Sequence, residues 1–174
     1  FFAIVMALYS IIHQKKKPRN AYLFLVSLFF YYKTSGIFFL LLIFSTIVDF
    51  FIGRGIYRSD IKWKRKLLVA LSVTVNLSVL VYYKYAGFFT ETFNYVFGVE
   101  LEAVDLLAKW TNQFAGTHFT IDKIILPVGI SFFTFQTISY SVDIYRGKLK
   151  PVDSIIDFGF YVSFFPQLVA GPIV

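Results

Sequence analysis

Long uninterrupted apolar runs constrain this chain more than any other feature of its sequence. Residues 67–89, 124–145 and 155–174 each offer the roughly 20 residues that a bilayer-spanning helix needs. Shorter runs precede them, at residues 1–12, 21–32 and 37–53. Lipid admits only helices or closed barrels, and these runs lack the alternation of strands. The sequence therefore predicts an all-α, polytopic transmembrane bundle with about six membrane segments.

Composition agrees with a bilayer as the solvent. The chain is 57% hydrophobic and 16% charged, whereas soluble domains are about 45–50% apolar and about 25% charged. It contains no cysteine, which excludes disulfides and thiolate chemistry within these residues. Because the chain begins at Phe1 inside an apolar run and stops inside another, we expect residues 1–174 to be part of one domain truncated at both ends.

The connections between the runs alternate in charge. Residues 13–20, 54–66 and 146–154 carry net charges of +4, +5 and +2, whereas residues 33–36 carry +1 and residues 90–123 carry −3. The positive-inside rule then places the first, third and fifth connections in the cytoplasm and the N-terminus outside. The basic residues thus indicate topology, with membrane lipid as a partner of residues 54–66, and we expect no nucleic acid binding.

The long connection over residues 90–123 contains an amphipathic pattern. Its apolar residues recur at helical spacing, at Leu101, Val104, Leu107 and Ala108. Polar residues, including Asp105, fall on the other faces. The pattern predicts an extracytoplasmic amphipathic helix that lies on the membrane surface or caps the bundle. An ordinary surface helix without a ligand role is the simpler alternative.

Ionisable residues at membrane depth are costly and are functional candidates for that reason. Asp49 lies in the third run about one turn from its cytoplasmic end, where we expect it to pair with a loop arginine. Lys84 lies near the outer end of the fourth run and is expected to snorkel. Asp157 lies near the cytoplasmic end of the sixth run.

The fifth run differs from the others because its polar residues sort by face. One stripe at helical spacing consists of Ser131, Thr134, Thr137 and Ser141. A neighbouring stripe consists of Gln136, Ser139, Tyr140 and Asp143. Together they cover too much of the circumference for a lipid-facing helix. Small hydroxyl residues join membrane helices, but Gln136 and Asp143 need polar partners or water when buried.

The sixth run is also predicted to be irregular. Pro166 interrupts its apolar sequence, and a proline inside a helix frees a carbonyl and kinks the path. Non-helical backbone at membrane depth is tolerated where it is covered by protein or lines a cavity. We therefore predict that the fifth and sixth runs line a substrate passage. The candidate channel residues are Gln136, Tyr140, Asp143, Arg146, Pro166 and Gln167.

No metal site is predicted. The only histidines, His13 and His118, lie 105 positions apart in connections between the runs. His118 has Asp122 four positions on, but two ligands alone indicate a metal only weakly.

The fifth and sixth runs resemble a known signature. LPVGISFFTFQTISYSVDIYRG at residues 126–147 and DFGFYVSFFPQLVAGPI at residues 157–173 closely resemble the membrane-bound O-acyltransferase superfamily. The most similar branch is that of the bacterial alginate O-acetyltransferases, which modify exported polysaccharides. STIVDFFIG at residues 45–53 and VNLSVLVYYKYAGFF at residues 75–89 are similar at a moderate level. The related D-alanyl transfer proteins of teichoic acid synthesis share a looser form.

The resemblance implies a polytopic enzyme of the bacterial inner (cytoplasmic) membrane. It implies transfer of an acetyl group from a cytoplasmic donor, such as acetyl-CoA, to an exported polysaccharide, with no bound cofactor. It makes extracytoplasmic acetylation partner proteins plausible. It also implies a catalytic histidine in a later segment, expected beyond residue 174, so no catalytic residue is assigned within this sequence.

Two readings outside this enzyme class stay open from the residues alone. A transporter or channel would place Gln136, Asp143 and Gln167 in its pathway, although no internal repeat is visible. A membrane scaffold would dock partners through residues 90–123 and leaves Asp143 and Pro166 unexplained.

Overall fold

The fold is known from a computed structural model that describes residues 5, 9–10, 12, 14–115, 124, 126–164 and 166–167. These residues form helices and no strand, which confirms the all-α prediction. The helices are α1 (Lys16–Ser35), α2 (Phe39–Arg58), α3 (Lys62–Phe97), α4 (Leu106–Ala115), α5 (Ile130–Tyr145) and α6 (Ile155–Ser163). Among the described residues, two helical stretches are long and apolar enough to cross a membrane, Lys16–Arg58 and Lys62–Phe97.

The first of those stretches folds back on itself. A 3-10 turn, Gly36–Phe38, separates α1 from α2, and Gly36 has a φ of 58°, a value that favours glycine. After this turn, α2 runs antiparallel to α1, because Phe24 and Leu28 share a groove with Ile43 and Ile47. The short second run is extended by flanking polar residues, so α1 reaches 20 residues.

The helix α3 continues well beyond its apolar run. Its 36 residues correspond to about 54 Å at 1.5 Å per residue, against a hydrocarbon core of about 30 Å. It ends at Gly98, whose N–H donates to the Asn94 carbonyl at 2.8 Å and whose φ is 64°. The chain then returns along the helix, where Asn94 exchanges two hydrogen bonds with the Leu101 backbone, at 2.8 and 3.0 Å.

The helix in the long connection starts later than the apolar spacing suggests. Residues 99–105 are not helical, and α4 begins at Leu106. Asp105 is the reason, because its Oδ1 accepts hydrogen bonds from the N–H groups of Leu107 and Ala108, at 3.0 and 3.1 Å. This is the side-chain cap that aspartate provides at a helix start. The expectation that Asp105 lies within an amphipathic helix was wrong.

The last two helices are shorter than their apolar runs. The helix α5 begins at Ile130, after Gly129 with a φ of 72°, and α6 ends at Ser163. Phe164 follows in an extended conformation, with φ −54° and ψ 106°. The helical path is therefore interrupted at Phe164, and Pro166 and Gln167 are helical again, which agrees with the irregular path predicted from Pro166.

The helix α2 lies at the centre of the bundle. It contacts α3 and α5 along one side, and α1 and α6 along a second side. The three basic connections meet at one end of the bundle. Arg54 Nη2 donates to the Asp153 carbonyl at 2.5 Å, Arg65 Nη2 donates to the Tyr145 carbonyl at 2.8 Å, and Asn20 Nδ2 donates to Asp157 Oδ1 at 2.9 Å. Helix directions in the structure therefore agree with the alternation of loop charge.

Candidate functional site

Two of the predicted channel residues connect α5 to α6. Gln136 is half-buried, and its Nε2 donates to the Tyr161 carbonyl at 2.8 Å. Tyr140, one turn further along α5, is buried, and its hydroxyl accepts a hydrogen bond from the Val152 N–H at 3.1 Å. Its ring also lies against Phe158, with centroids 4.4 Å apart. The structure therefore brings these two side chains together on the face of α5 that meets α6.

The other four predicted channel residues lie away from this contact. Asp143 is half-buried near the end of α5, where its carbonyl accepts from the Lys148 N–H at 2.9 Å. Arg146 is exposed in the basic connection that follows. Pro166 and Gln167 lie half-buried beyond the end of α6, and the Gln167 N–H donates to the Phe164 carbonyl at 3.0 Å.

The hydroxyl stripe of α5 leads to a buried cluster that the sequence did not predict. Thr137 and Ser141 are fully buried, and between them they contact polar side chains of α2 and α3. We call this cluster the Asp49 network. Its members are Ser45 and Asp49 of α2, Ser72 and Asn76 of α3, and Thr137 and Ser141 of α5.

Both carboxylate oxygens of Asp49 receive hydrogen bonds. Ser72 Oγ donates to Oδ1, and Ser141 Oγ lies 3.5 Å from the same oxygen. Asn76 Nδ2 donates to Oδ2 at 2.7 Å, and Ser45 Oγ lies 3.4 Å from it. The Asp49 carboxyl group therefore links α2 to α3 and α5 at one point.

Asn76 carries the second half of the network. Its Oδ1 accepts from Ser45 Oγ at 2.7 Å and from Thr137 Oγ1 at 3.2 Å. Its Nδ2 also donates to the Ser72 carbonyl at 2.9 Å. The amide therefore uses both its donor and its acceptor, and its contacts reach all three helices.

The network is closed to water and contains no cation. Asp49, Ser72, Thr137 and Ser141 have no exposed surface, and Ser45 and Asn76 are 5% and 3% exposed. Within the described residues every partner of Asp49 is a neutral hydroxyl or amide. The expected pairing of Asp49 with a loop arginine is therefore wrong: Arg54 instead bonds the Asp153 carbonyl. A buried carboxyl group needs such donors, because an unsatisfied one is strongly unfavourable.

Close packing surrounds the network on the α6 side. Gly53 of α2 faces Tyr140, and a Cβ placed on Gly53 would lie 2.8 Å from Tyr140 Cε1. Gly159 of α6 faces Phe24 of α1, where a Cβ would lie 2.6 Å from Phe24 Cε2. Small residues let membrane helices approach closely. Tyr140 therefore contacts α2, α6 and the connection between α5 and α6.

The end of the bundle opposite the basic connections has open pockets. One of about 710 Å³ lies between α3 and α4, beside Tyr82, Tyr83 and Trp110. A second, of about 580 Å³, lies beside Lys84, Glu91 and Glu102. Lys84 itself is exposed, with its Nζ 5.4 Å from the Tyr85 ring centroid. This end therefore offers room for a solute, whereas the Asp49 network is packed.

The described residues hold no group of three or more histidine, cysteine, aspartate or glutamate side chains that would bind a metal ion. His13 and His118, as well as Asp122, Gly171 and Pro172, lie outside the described residues. The polar side chains described above therefore hold the helices together. They supply no assembled nucleophile and base.

The whole chain is 33% identical, over 175 residues, to the probable alginate O-acetylase AlgI of Pseudomonas aeruginosa. It is 32% identical to the protein of the same name in Pseudomonas putida. It is 31% identical, over 88% of the chain, to the peptidoglycan O-acetyltransferase of Helicobacter pylori. The chain covers 31%, 33% and 30% of these relatives, so it spans about a third of their length. No protein-family model and no solved structure matches it.

Proposed function

We propose that the chain belongs to the membrane-bound O-acyltransferase superfamily and is part of an enzyme that transfers an acetyl group to an exported polysaccharide. The observation that carries the proposal is the alignment of the entire chain, at 33% identity, with an alginate O-acetylase. In this proposal the 174 residues form part of a single O-acyltransferase domain.

The helix directions support a multi-pass arrangement in the bacterial inner membrane. The connections with net charges of +4, +5 and +2 are those before α1, between α2 and α3, and between α5 and α6. The last two are joined by the bonds from Arg54 to Asp153 and from Arg65 to Tyr145. We place this basic end in the cytoplasm, which puts α4 on the extracytoplasmic side and the N-terminus outside, with about six membrane segments in the chain.

The basic end is suited to an anionic acyl donor. Arg146, Lys148 and Lys150 are exposed there, and clustered cations raise the local concentration of an anionic solute. Acetyl-CoA is such a donor and acts as substrate, so the proposal needs no bound cofactor. The acceptor then approaches from the opposite end, where the two cavities lie beside α3.

Within this scheme Gln136 and Tyr140 form the wall between the two ends. They face α6, whose helix stops at Ser163, about halfway along a spanning length. Asp143 and Arg146 lie at the cytoplasmic mouth, and Pro166 and Gln167 follow the helix end. A general base, which we expect to be a histidine outside these residues, would remove the proton of the acceptor hydroxyl. The acetyl carbonyl carbon then bonds to the acceptor oxygen while its bond to the sulfur of the donor breaks, and the leaving thiolate takes up the proton.

The names of the relatives suggest two acceptors. Alginate-like exported polysaccharide is the first, because several relatives carry the alginate O-acetylase name. Peptidoglycan is the second, from the Helicobacter pylori relative. Both are polymers outside the inner membrane, so either is compatible with extracytoplasmic acetylation partner proteins.

The test is deletion of the gene that contains this chain, followed by measurement of ester-linked acetate on each polymer. We expect acetate to fall on one polymer and to return when the intact gene is restored. Unchanged acetate on both polymers would overturn the proposal. Solute flux through the purified full-length protein without an acyl donor would favour a transporter instead.

A further inference from the structure

The Asp49 network lies next to the proposed passage without lining it. Thr137 and Ser141 carry the network on α5, and Gln136 and Tyr140 carry the α6 contact on the adjacent face of the same helix. An α-helix is stiff over two turns, so anything that fixes one face of α5 also fixes the other. The position of Tyr140 is therefore tied to the bonds that Ser141 makes.

Apart from the bond from Arg65 to the Tyr145 carbonyl at the end of α5, the side-chain hydrogen bonds described between α5 and either α2 or α3 all belong to the network. Hydrophobic attraction does not orient helices in lipid, because the tails are as apolar as the side chains. Rotation of α5 is therefore controlled chiefly by hydrogen bonds to Asp49 and Asn76. A small rotation would move Tyr140 away from both Val152 and Phe158.

We propose that Asp49 is a positioning residue for acetyl transfer, which sets the rotation of α5 and thereby the place of Gln136 and Tyr140. This inference rests on the proposed function. Asp49 touches neither donor nor acceptor, since it is fully buried by Ser45, Ser72, Asn76 and Ser141. Its contribution is geometric and needs two hydrogen-bonding oxygens, or an amide that replaces them, rather than a charge.

The variants are chosen to separate the geometric contribution of the Asp49 side chain from its charge. In Asp49→Asn the amide oxygen still accepts from Asn76, and the amide nitrogen donates to the Ser72 or Ser141 hydroxyl. In Asp49→Leu both bonds are lost at nearly constant volume. Thr46→Val is the matched control, because Thr46 is buried on the same helix but its Oγ1 donates to its own Leu42 carbonyl at 2.7 Å.

The first measurement is acetyl transfer by the full-length protein in proteoliposomes, with radiolabelled acetyl-CoA and purified polysaccharide. We expect Asp49→Leu to lower kcat by about 100-fold, the effect of a misplacement near 1 Å, while KM for acetyl-CoA changes little. Asp49→Asn and Thr46→Val should stay within about threefold of wild type. A folded but inactive Asp49→Asn protein would overturn the proposal, because it would mean that the carboxyl group itself takes part in the chemistry.

The second measurement does not depend on activity. Spin labels at Phe44→Cys on α2 and Phe135→Cys on α5 occupy exposed positions, and these 174 residues have no native cysteine. We expect the distance distribution to broaden or shift in Asp49→Leu and to stay unchanged in Thr46→Val and Asp49→Asn.

Two further outcomes distinguish a failure of the positioning role of Asp49 from a failure of the proposed function. An unchanged distribution in Asp49→Leu would overturn the positioning role, whereas an inactive wild type with the expected distributions would overturn only the proposed function. If Asp49→Leu does not fold, Ser141→Ala tests the same contact. It removes the contacts of Ser141 Oγ with Asp49 Oδ1 at 3.5 Å and with Ser72 Oγ at 3.1 Å, and it leaves the carboxyl group with its other donors. Activity and distances equal to wild type in Ser141→Ala would then count against the role.

Discussion

Along one side of α2, contacts with α3 and α5 run through the Asp49 network. On a second side α1 and α6 pack against α2 and against each other through aromatic rings and a glycine. On the second side Phe50 lies 6.2 Å from Phe158, centroid to centroid, and Gly159 meets Phe24. The same helix therefore uses directional bonds on one side and shape on the other.

The two sides show two ways in which the positions of neighbouring helices are determined where water is absent. Hydrogen bonds on the first side fix both register and rotation, because a slip of one residue breaks several of them together. Close packing on the second side depends on the absence of a side chain at Gly159, and it allows small adjustments of rings. We expect losses on the first side to be larger and to spread across three helices.

The largest expected effect comes from Asn76→Leu. This change leaves the buried Asp49 carboxyl group without the donor at 2.7 Å and leaves Ser45 and Thr137 without their shared acceptor. We expect a loss of about 3 kcal/mol, measured as the free energy of unfolding in a detergent titration. A variant as stable as wild type would break the contrast between the two sides.

Gly159→Ala tests the second side. The new Cβ would lie 2.6 Å from Phe24 Cε2, so the ring must move, and we expect a loss of about 1–3 kcal/mol. Adding Phe24→Leu should recover part of the loss if the overlap is its cause. Gly87→Ala on α3 is the matched control, because nothing lies within 4 Å of its Cβ position and alanine favours helix.

Two threonines on α5 test how much one buried hydroxyl group contributes to stability on the polar side. Thr137→Val removes the bond of 3.2 Å to Asn76, and we expect a loss of about 0.6–1.7 kcal/mol. Thr134→Val should be close to neutral, because Thr134 Oγ1 is buried and has no hydrogen-bond partner among the described residues. Equal thermal stability of the two variants would show that burial, not the bond, matters.

The smallest effect is expected at the basic end. Asn20 Nδ2 donates to Asp157 Oδ1 at 2.9 Å and joins α1 to α6 in a half-buried position. Asn20→Ala should lower the melting temperature only slightly, corresponding to about 0.5 kcal/mol. A loss as large as that of Asn76→Leu would mean that the second side also depends on polar contacts.

The sequence predicted that the chain is all-α and that its basic connections lie at one end of the bundle, because both properties depend on local composition. They also predicted that the hydroxyl stripe of α5 joins helices, and Thr137 and Ser141 are buried between α5 and its neighbours. The hydrogen-bond partners of these residues could not be predicted from the sequence. Ser72 lies 23 positions from Asp49 and 69 positions from Ser141, and the three meet only after their helices pack.

A signal for the missed network was nevertheless present. The two stretches with moderate resemblance, residues 45–53 and 75–89, contain Asp49 and Asn76, the two members with the most bonds. Capping chemistry similarly explains the start of α4, because aspartate followed by apolar residues is typical of a helix start. Pro166 indicated an irregular path, and only the backbone shows that α6 has already ended at Ser163.

The tight turn at Gly36–Phe38 also bears on how the chain enters the membrane. Its connection carries a single lysine, Lys33, whereas the flanks of the α1–α2 hairpin carry +4 and +5. In the topology proposed above, insertion of α1 and α2 together moves only that one charge across the hydrocarbon layer and leaves the basic flanks behind. The translocon would therefore receive this hairpin as one unit, and charges added to the turn should impair its insertion before they affect the folded protein.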